Sequence, residues 1–176
     1  MRWFSTDDVP GLDEALRACG QEVVSLPEDH ARHYITSASY HPADYPLTAL
    51  ASSRRAEVVV LVRPIRVVAL DDGRAEFGYG RGGAKALRNR GVTIAMHADA
   101  ETLEAYREGK HRTCACQPND AAVIIATTEA AADIIRGSRR VTIWSPGETA
   151  ERIVAAVEHA RSGRTYSPKK QSREWG

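Results

Sequence analysis

Val58-Val59-Val60-Leu61-Val62 is a run of five apolar residues, nearly all β-branched. It is too short for a helix and does not alternate, so it is expected to form a strand buried on both faces, as in a parallel sheet. Downstream, Val92-Thr93-Ile94-Ala95-Met96, Val123-Ile124-Ile125-Ala126 and Val141-Thr142-Ile143-Trp144 repeat the pattern. Upstream, Val23-Val24-Ser25-Leu26, closed by Pro27, and the very short Trp3-Phe4 are further strand candidates.

Helical stripes lie between these runs. Leu12, Ala15, Leu16 and Cys19 have i, i+3, i+4, i+7 spacing, with Asp8 as candidate cap, Pro10 for the first turn and Gly20 for the end. Residues 28–56 carry His30, His33, His41, Tyr34, Tyr40 and Tyr45 and read as a loop, then a short helix through Leu47 and Leu50. A short helix holds Leu103 and Tyr106 and ends near Gly109. Ala130, Ala131, Ile134 and Ile135 line another, which Gly137 stops. Ser145-Pro146-Gly147-Glu148 has capping-box spacing with proline at the first helical position, ahead of Ala150, Ile153, Val154 and Val157.

Strands alternating with helices predict a three-layer α/β domain over 1–163, with five or six mostly parallel strands and helices on both faces. Residues 164–176, with Arg164, Lys169, Lys170 and Arg173, read as a basic tail expected to be mobile. In such sheets ligands bind beyond the carboxyl ends of the strands. That directs attention to Ser5 through Asp8, the stretch after Val62, His97 through Asp99, Thr127-Thr128 and Ser145.

Composition narrows the functional classes. The 176 residues suit one domain, and 43% hydrophobic residues can build a core. Lys and Arg number 24 against 23 Asp and Glu, a net charge of +1 that argues against a nucleic-acid coat protein. No apolar run approaches the roughly 20 residues of a membrane span. The opening residues lack the apolar core of a signal peptide, so a cytoplasmic location with no membrane partner is expected. Cys19, Cys114 and Cys116 are an odd number and form no disulfide framework.

The segment after the central strand, Asp71-Asp72-Gly73-Arg74-Ala75-Glu76-Phe77-Gly78-Tyr79-Gly80-Arg81-Gly82-Gly83-Ala84-Lys85, admits three readings. In the first, Glu76 opens a helix just past a buried strand. Its carboxylate there would sit at the positive end of the helix dipole, which favours the ionised form that suits a nucleophile. In the second, Gly78 to Gly83 is a G-x-G-x-x-G dinucleotide fingerprint, which requires a strand running into the first glycine. In the third, Asp-Asp-Gly is a hairpin turn between Ile65–Leu70 and Arg74–Phe77, and Glu76 is a strand residue.

The stretch also resembles the nucleoside 2-deoxyribosyltransferase family and its nucleotide N-glycosidase relatives. The matching residues are Val58 to Val62, Asp72, Glu76-Phe77-Gly78-Tyr79, Gly82 to Lys85 and Val92 to Met96. The resemblance covers about 40 residues of the chain's centre. It implies a flavodoxin-like (Rossmann-like) fold and cleavage of an N-glycosidic bond, by hydrolysis or transfer. It further implies Glu76 as the nucleophile attacking the anomeric carbon, Asp72 binding or protonating the base, and homo-oligomers in which neighbouring chains complete each site. Trp144 and Trp175 are candidates for such an interface.

Ser5, Thr6, Gly78, Arg81, His97 and Asp99 are the candidate substrate-binding residues; within the Ser5–Asp8 cluster helix capping fully explains Asp8, and His97 reads equally as an ordinary strand-end histidine. Arg63, Arg66, Arg74 and Arg81 favour a nucleotide over an uncharged nucleoside. His111, Cys114 and Cys116 have no partner pair at structural-zinc spacing, so no metal is expected. No cofactor is required, and no G-x-S-x-G elbow is present. The expected function is therefore N-glycosidic cleavage of a nucleoside or nucleotide. The alternative is a non-catalytic nucleotide sensor using the same strand-end pocket, and a third class is an interaction protein.

Overall fold

The computed structural model describes residues 1–5, 9–24, 55–62, 65–70, 73–78, 81–108, 117–135, 137 and 141–163; for 65–70, 73–78, 81–83 and 86 it describes the backbone alone. In chain order the elements are β1 (Arg2–Ser5), α1 (Leu12–Ala18), β2 (Glu22–Val24), β3 (Val58–Val62), β4 (Ile65–Leu70), β5 (Gly73–Gly78), α2 (Arg81–Asn89), β6 (Thr93–Ala98), α3 (Ala100–Arg107), a 3-10 turn (Pro118–Asp120), β7 (Val123–Ala126), α4 (Glu129–Ile135), β8 (Val141–Ile143) and α5 (Glu151–Ser162).

Six strands form one sheet in the order β2-β1-β3-β6-β7-β8, and every pairing in it is parallel. The three-layer α/β architecture is thus the one expected. β4 and β5 form a separate antiparallel ribbon.

The central strands explain why β-branched runs were selected. All five residues of β3 are buried, as are all four of β7. Burying one such aliphatic side chain contributes about 1.5–3 kcal/mol. Alternate residues feed two cores. Phe4, Val59, Leu61, Ile94, Met96, Ile124 and Ala126 face the side carrying Ala84 and Leu87 of α2, Leu103 and Tyr106 of α3, and Ala131 and Ala132 of α4. Trp3, Val58, Val60, Val62, Ala95, Val123 and Ile125 face Leu12 and Leu16 of α1 and Ile153, Val157 and Ala160 of α5.

This division has its cause in handedness. The chain moves one way along the sheet from β1 to β2, and the other way from β3 through β6 and β7 to β8. Right-handed crossovers in opposite directions put their helices on opposite faces. α5 then returns to the face of α1.

Several local expectations need correction. The Ser145–Glu148 capping box does not start the last helix. The Glu148 carboxylate accepts the Ser145 N–H at 3.1 Å, and the Glu148 N–H bonds the Ser145 carbonyl at 3.1 Å, so the four residues close a turn. α5 begins three residues later, at Glu151, after Ala150. The same reciprocal bonding that caps a helix can close an isolated turn, and Gly147 at φ 94° directs the chain out of it. Trp144 is not an interface residue: at 2% exposure it belongs to the core of the α1 and α5 face. α1 has Gly11, not a side chain, at its start. Asp8, residues 28–54, His111, Cys114, Cys116, Trp175 and the basic tail lie outside the described residues. Cys19 is half-buried against the α1 core.

No helix among the described residues is long and apolar enough to cross a membrane.

Candidate functional site

The strand order reverses between β1 and β3, so their carboxyl ends border the topological switch point. In open α/β sheets the loops at such a point run to opposite faces, and the crevice between them is where ligands bind. Ser5 ends β1 and is paired with Val60, while Val62 ends β3 and is paired with His97 of β6. In-register residues of parallel strands share a face. Ser5, Val60, Val62 and His97 therefore all belong to the α1 and α5 side, near the carboxyl edge. His97 is half-buried.

The ribbon begins directly after β3. The register pairs Ile65 with Gly78, Val67 with Glu76 and Leu70 with Gly73. The hairpin expectation therefore describes this segment. The helix-start expectation for Glu76 does not: Glu76 lies inside β5, and the next helix opens five residues later, at Arg81. The physical reason is the antiparallel pairing with β4, which commits the backbone of Gly73–Gly78 to a ladder and not to a helix.

The dinucleotide fingerprint also fails, although its local sequence of strand, glycines and helix is present. β5 runs to Gly78 and α2 starts at Arg81, but β5 pairs with β4 and stands outside the parallel sheet. A Rossmann fingerprint needs both flanking strands in one parallel sheet.

Gly78 thus ends the ribbon, and Arg81 begins α2. Arg66 and Arg74 occupy the ribbon pairs Arg66–Phe77 and Ala69–Arg74. Asp72, Thr6 and Arg63 lie outside the described residues.

Other polar groups on the carboxyl edge have structural tasks. The Asp99 carboxylate accepts the Thr102 N–H at 2.8 Å and caps α3. The Thr128 hydroxyl accepts the Ala131 N–H at 3.1 Å at the start of α4. Each satisfies a backbone donor that the first helical turn would otherwise leave open. Asp99 is therefore explained by its cap, and Ser5 at the end of β1 and His97 near the end of β6 remain the described candidates on this edge. Among the described residues no three His, Cys, Asp or Glu side chains gather as a metal-binding group.

Trp144 is an element of this edge that the sequence alone presents as a strand residue and an interface candidate. It comes directly after β8, and its indole N–H donates to the Glu148 carbonyl at 3.2 Å. Its position after an apolar strand makes it look like one more strand residue.

No family model, curated protein or solved structure matches the chain.

Proposed function

We propose that this protein binds a nucleoside or nucleotide at the carboxyl edge between β1 and β3, and cleaves its N-glycosidic bond with Glu76 as nucleophile. The observation that supports this reading is the origin of the ribbon. The segment resembling the deoxyribosyltransferases leaves the main sheet at the carboxyl end of β3, a strand that borders the switch point. The segment that carries Glu76 thus follows, in the chain, the strand end where such sheets take ligands.

In the proposed reaction the Glu76 carboxylate attacks the anomeric carbon as the bond to the base nitrogen breaks. The base leaves with the bonding electron pair and takes a proton, for which Asp72 is the candidate donor. Water, or the N–H nitrogen of a second base, then attacks the anomeric carbon, the bond to the Glu76 oxygen breaks to restore the carboxylate, and the proton of the attacking group passes to Asp72. Ser5, Thr6, Gly78, Arg81 and His97 are the proposed substrate contacts. The same reading carries a cytoplasmic location and a homo-oligomer, the latter implied by the resemblance.

A second reading has its own support. Glu76 lies within a strand and does not open a helix as the nucleophile reading expected, which leaves room for a binding module that senses a nucleotide without turning it over.

Release of free base from a panel of nucleosides and their 5′-monophosphates separates the two. Cleavage should fall roughly a thousandfold or more in Glu76→Gln if the side chain is the nucleophile. Binding without base release in the wild-type protein would instead establish the sensor.

A further inference from the structure

Two of the loops on the carboxyl edge are joined by one side chain. Trp144 is anchored at its own end by the bond from its indole N–H to the Glu148 carbonyl, inside the turn that precedes α5. At the far end, its Cη2 lies 3.9 Å from where a β-carbon on Gly11 would stand. Gly11 enters α1 at φ 81°, a left-handed conformation that glycine adopts without strain. Val9 and Leu12 flank it, share the core of Trp144, and close their own turn through the Leu12 N–H to the Val9 carbonyl at 2.9 Å.

The reach of the indole has a cause in the packing. α5 lies over β6, β7 and β8, and its far end touches Glu57, just before β3, through Arg161. α1 packs beside β2 on the other flank of the same face. Trp144 connects the start of one helix to the start of the other. A buried aromatic of this size has one well-packed orientation, so displacing either turn disturbs the other.

We propose that Trp144 is a positioning residue that ties the turn entering α1 to the turn entering α5, so that both loops on this side of the carboxyl edge hold one arrangement around the ligand. The role at the ligand rests on the nucleotide-binding reading above; the tie itself does not. Ser5 ends β1 beside the switch point and Gly11 opens α1, so holding the Gly11 turn in place bears on how Ser5 meets a bound molecule.

The test compares Trp144→Phe with Val157→Ala, which trims the same core within α5 and leaves the indole in place. Amide hydrogen exchange is read in both, and binding of the nucleoside and 5′-monophosphate panel is measured at a temperature where both variants are folded. In Trp144→Phe the amides of Leu12 and Glu148 should both exchange about tenfold faster, with Thr93 at the opposite edge unchanged. Ligand binding should weaken severalfold with little change in turnover at saturation, and Val157→Ala should show neither selective effect. Acceleration at Glu148 but not Leu12, or uniform acceleration resembling that of Val157→Ala, would overturn the tie. Coupled acceleration with unchanged binding would overturn the role at the ligand. If the wild-type protein binds nothing in the panel, the nucleotide reading and the ligand role built on it fall, while the exchange data still decide the tie.

Discussion

The guanidinium of Arg161 lies 2.9 Å from the carboxylate of Glu57, joining residues 104 positions apart at the amino edge of the sheet. Arg161 also donates to the Glu57 carbonyl at 3.2 Å, and the second carboxylate oxygen of Glu57 accepts the Arg2 N–H at 2.9 Å. One side chain thus fastens the end of α5 to the entrances of β1 and β3.

The Arg2 N–H is the main reason the Glu57 carboxyl titrates below its ordinary value, with the charges of Arg161 and the N-terminal ammonium assisting and partial burial opposing. A carboxyl whose folded pKa is depressed stabilises the fold fully above its unfolded value. That contribution disappears as pH falls through the folded value. The Glu57 side chain is 44% exposed, so solvent screening reduces the effect. Glu57→Ala should cost about 1 kcal/mol at pH 7. Denaturant unfolding of the two proteins from pH 7 down to pH 3 should show the difference shrinking toward acid.

Asp99 tests whether a carboxylate at the ligand edge is there for the backbone. Asp99→Ala removes the acceptor for the Thr102 N–H and should cost about 1 kcal/mol. Asp99→Asn keeps an acceptor and should restore most of that loss. Thermal unfolding of both variants checks the ordering.

Thr93 offers the reverse case. It is 1% exposed, and its hydroxyl makes no hydrogen bond to a described residue. An unsatisfied buried hydroxyl costs about 1–3 kcal/mol, and an apolar residue of the same shape avoids that cost. Thr93→Val should therefore raise stability by about 1 kcal/mol, measured by the urea midpoint at unchanged slope. Thr93→Ser, which keeps the hydroxyl and loses the methyl, should lower it.

The layers were legible because the strands are short, β-branched and buried on both faces, a pattern that helices do not imitate at that length. Even Trp3-Phe4 is part of a strand, since its neighbours on both sides supply the pairing that its own sequence lacks. Glu76 was harder. The Asp-Gly signal pointed to a hairpin and the place of Glu76 past a buried strand to a helix start, and the pairing of β5 with β4 bears out the hairpin. Ser145 to Glu148 misled for another reason: a capping box specifies a pair of hydrogen bonds, and those bonds form equally well in a turn that no helix continues. The Glu57–Arg161 bond left no trace in the sequence, because nothing local marks two residues so far apart. The shared core of Trp144 with Val9 and Leu12 was hidden in the same way.

The ribbon's strands bond to each other and supply no rung of the six-stranded ladder. Scaffold and appendage can accordingly evolve at separate tempos. An inserted residue or an exchanged turn in the hairpin leaves the register of every neighbour of β3 untouched, whereas a single slip in β3 would turn both cores inside out. A lineage built on this frame could retune what it recognises by rewriting about a dozen residues, with the remainder of the molecule held constant.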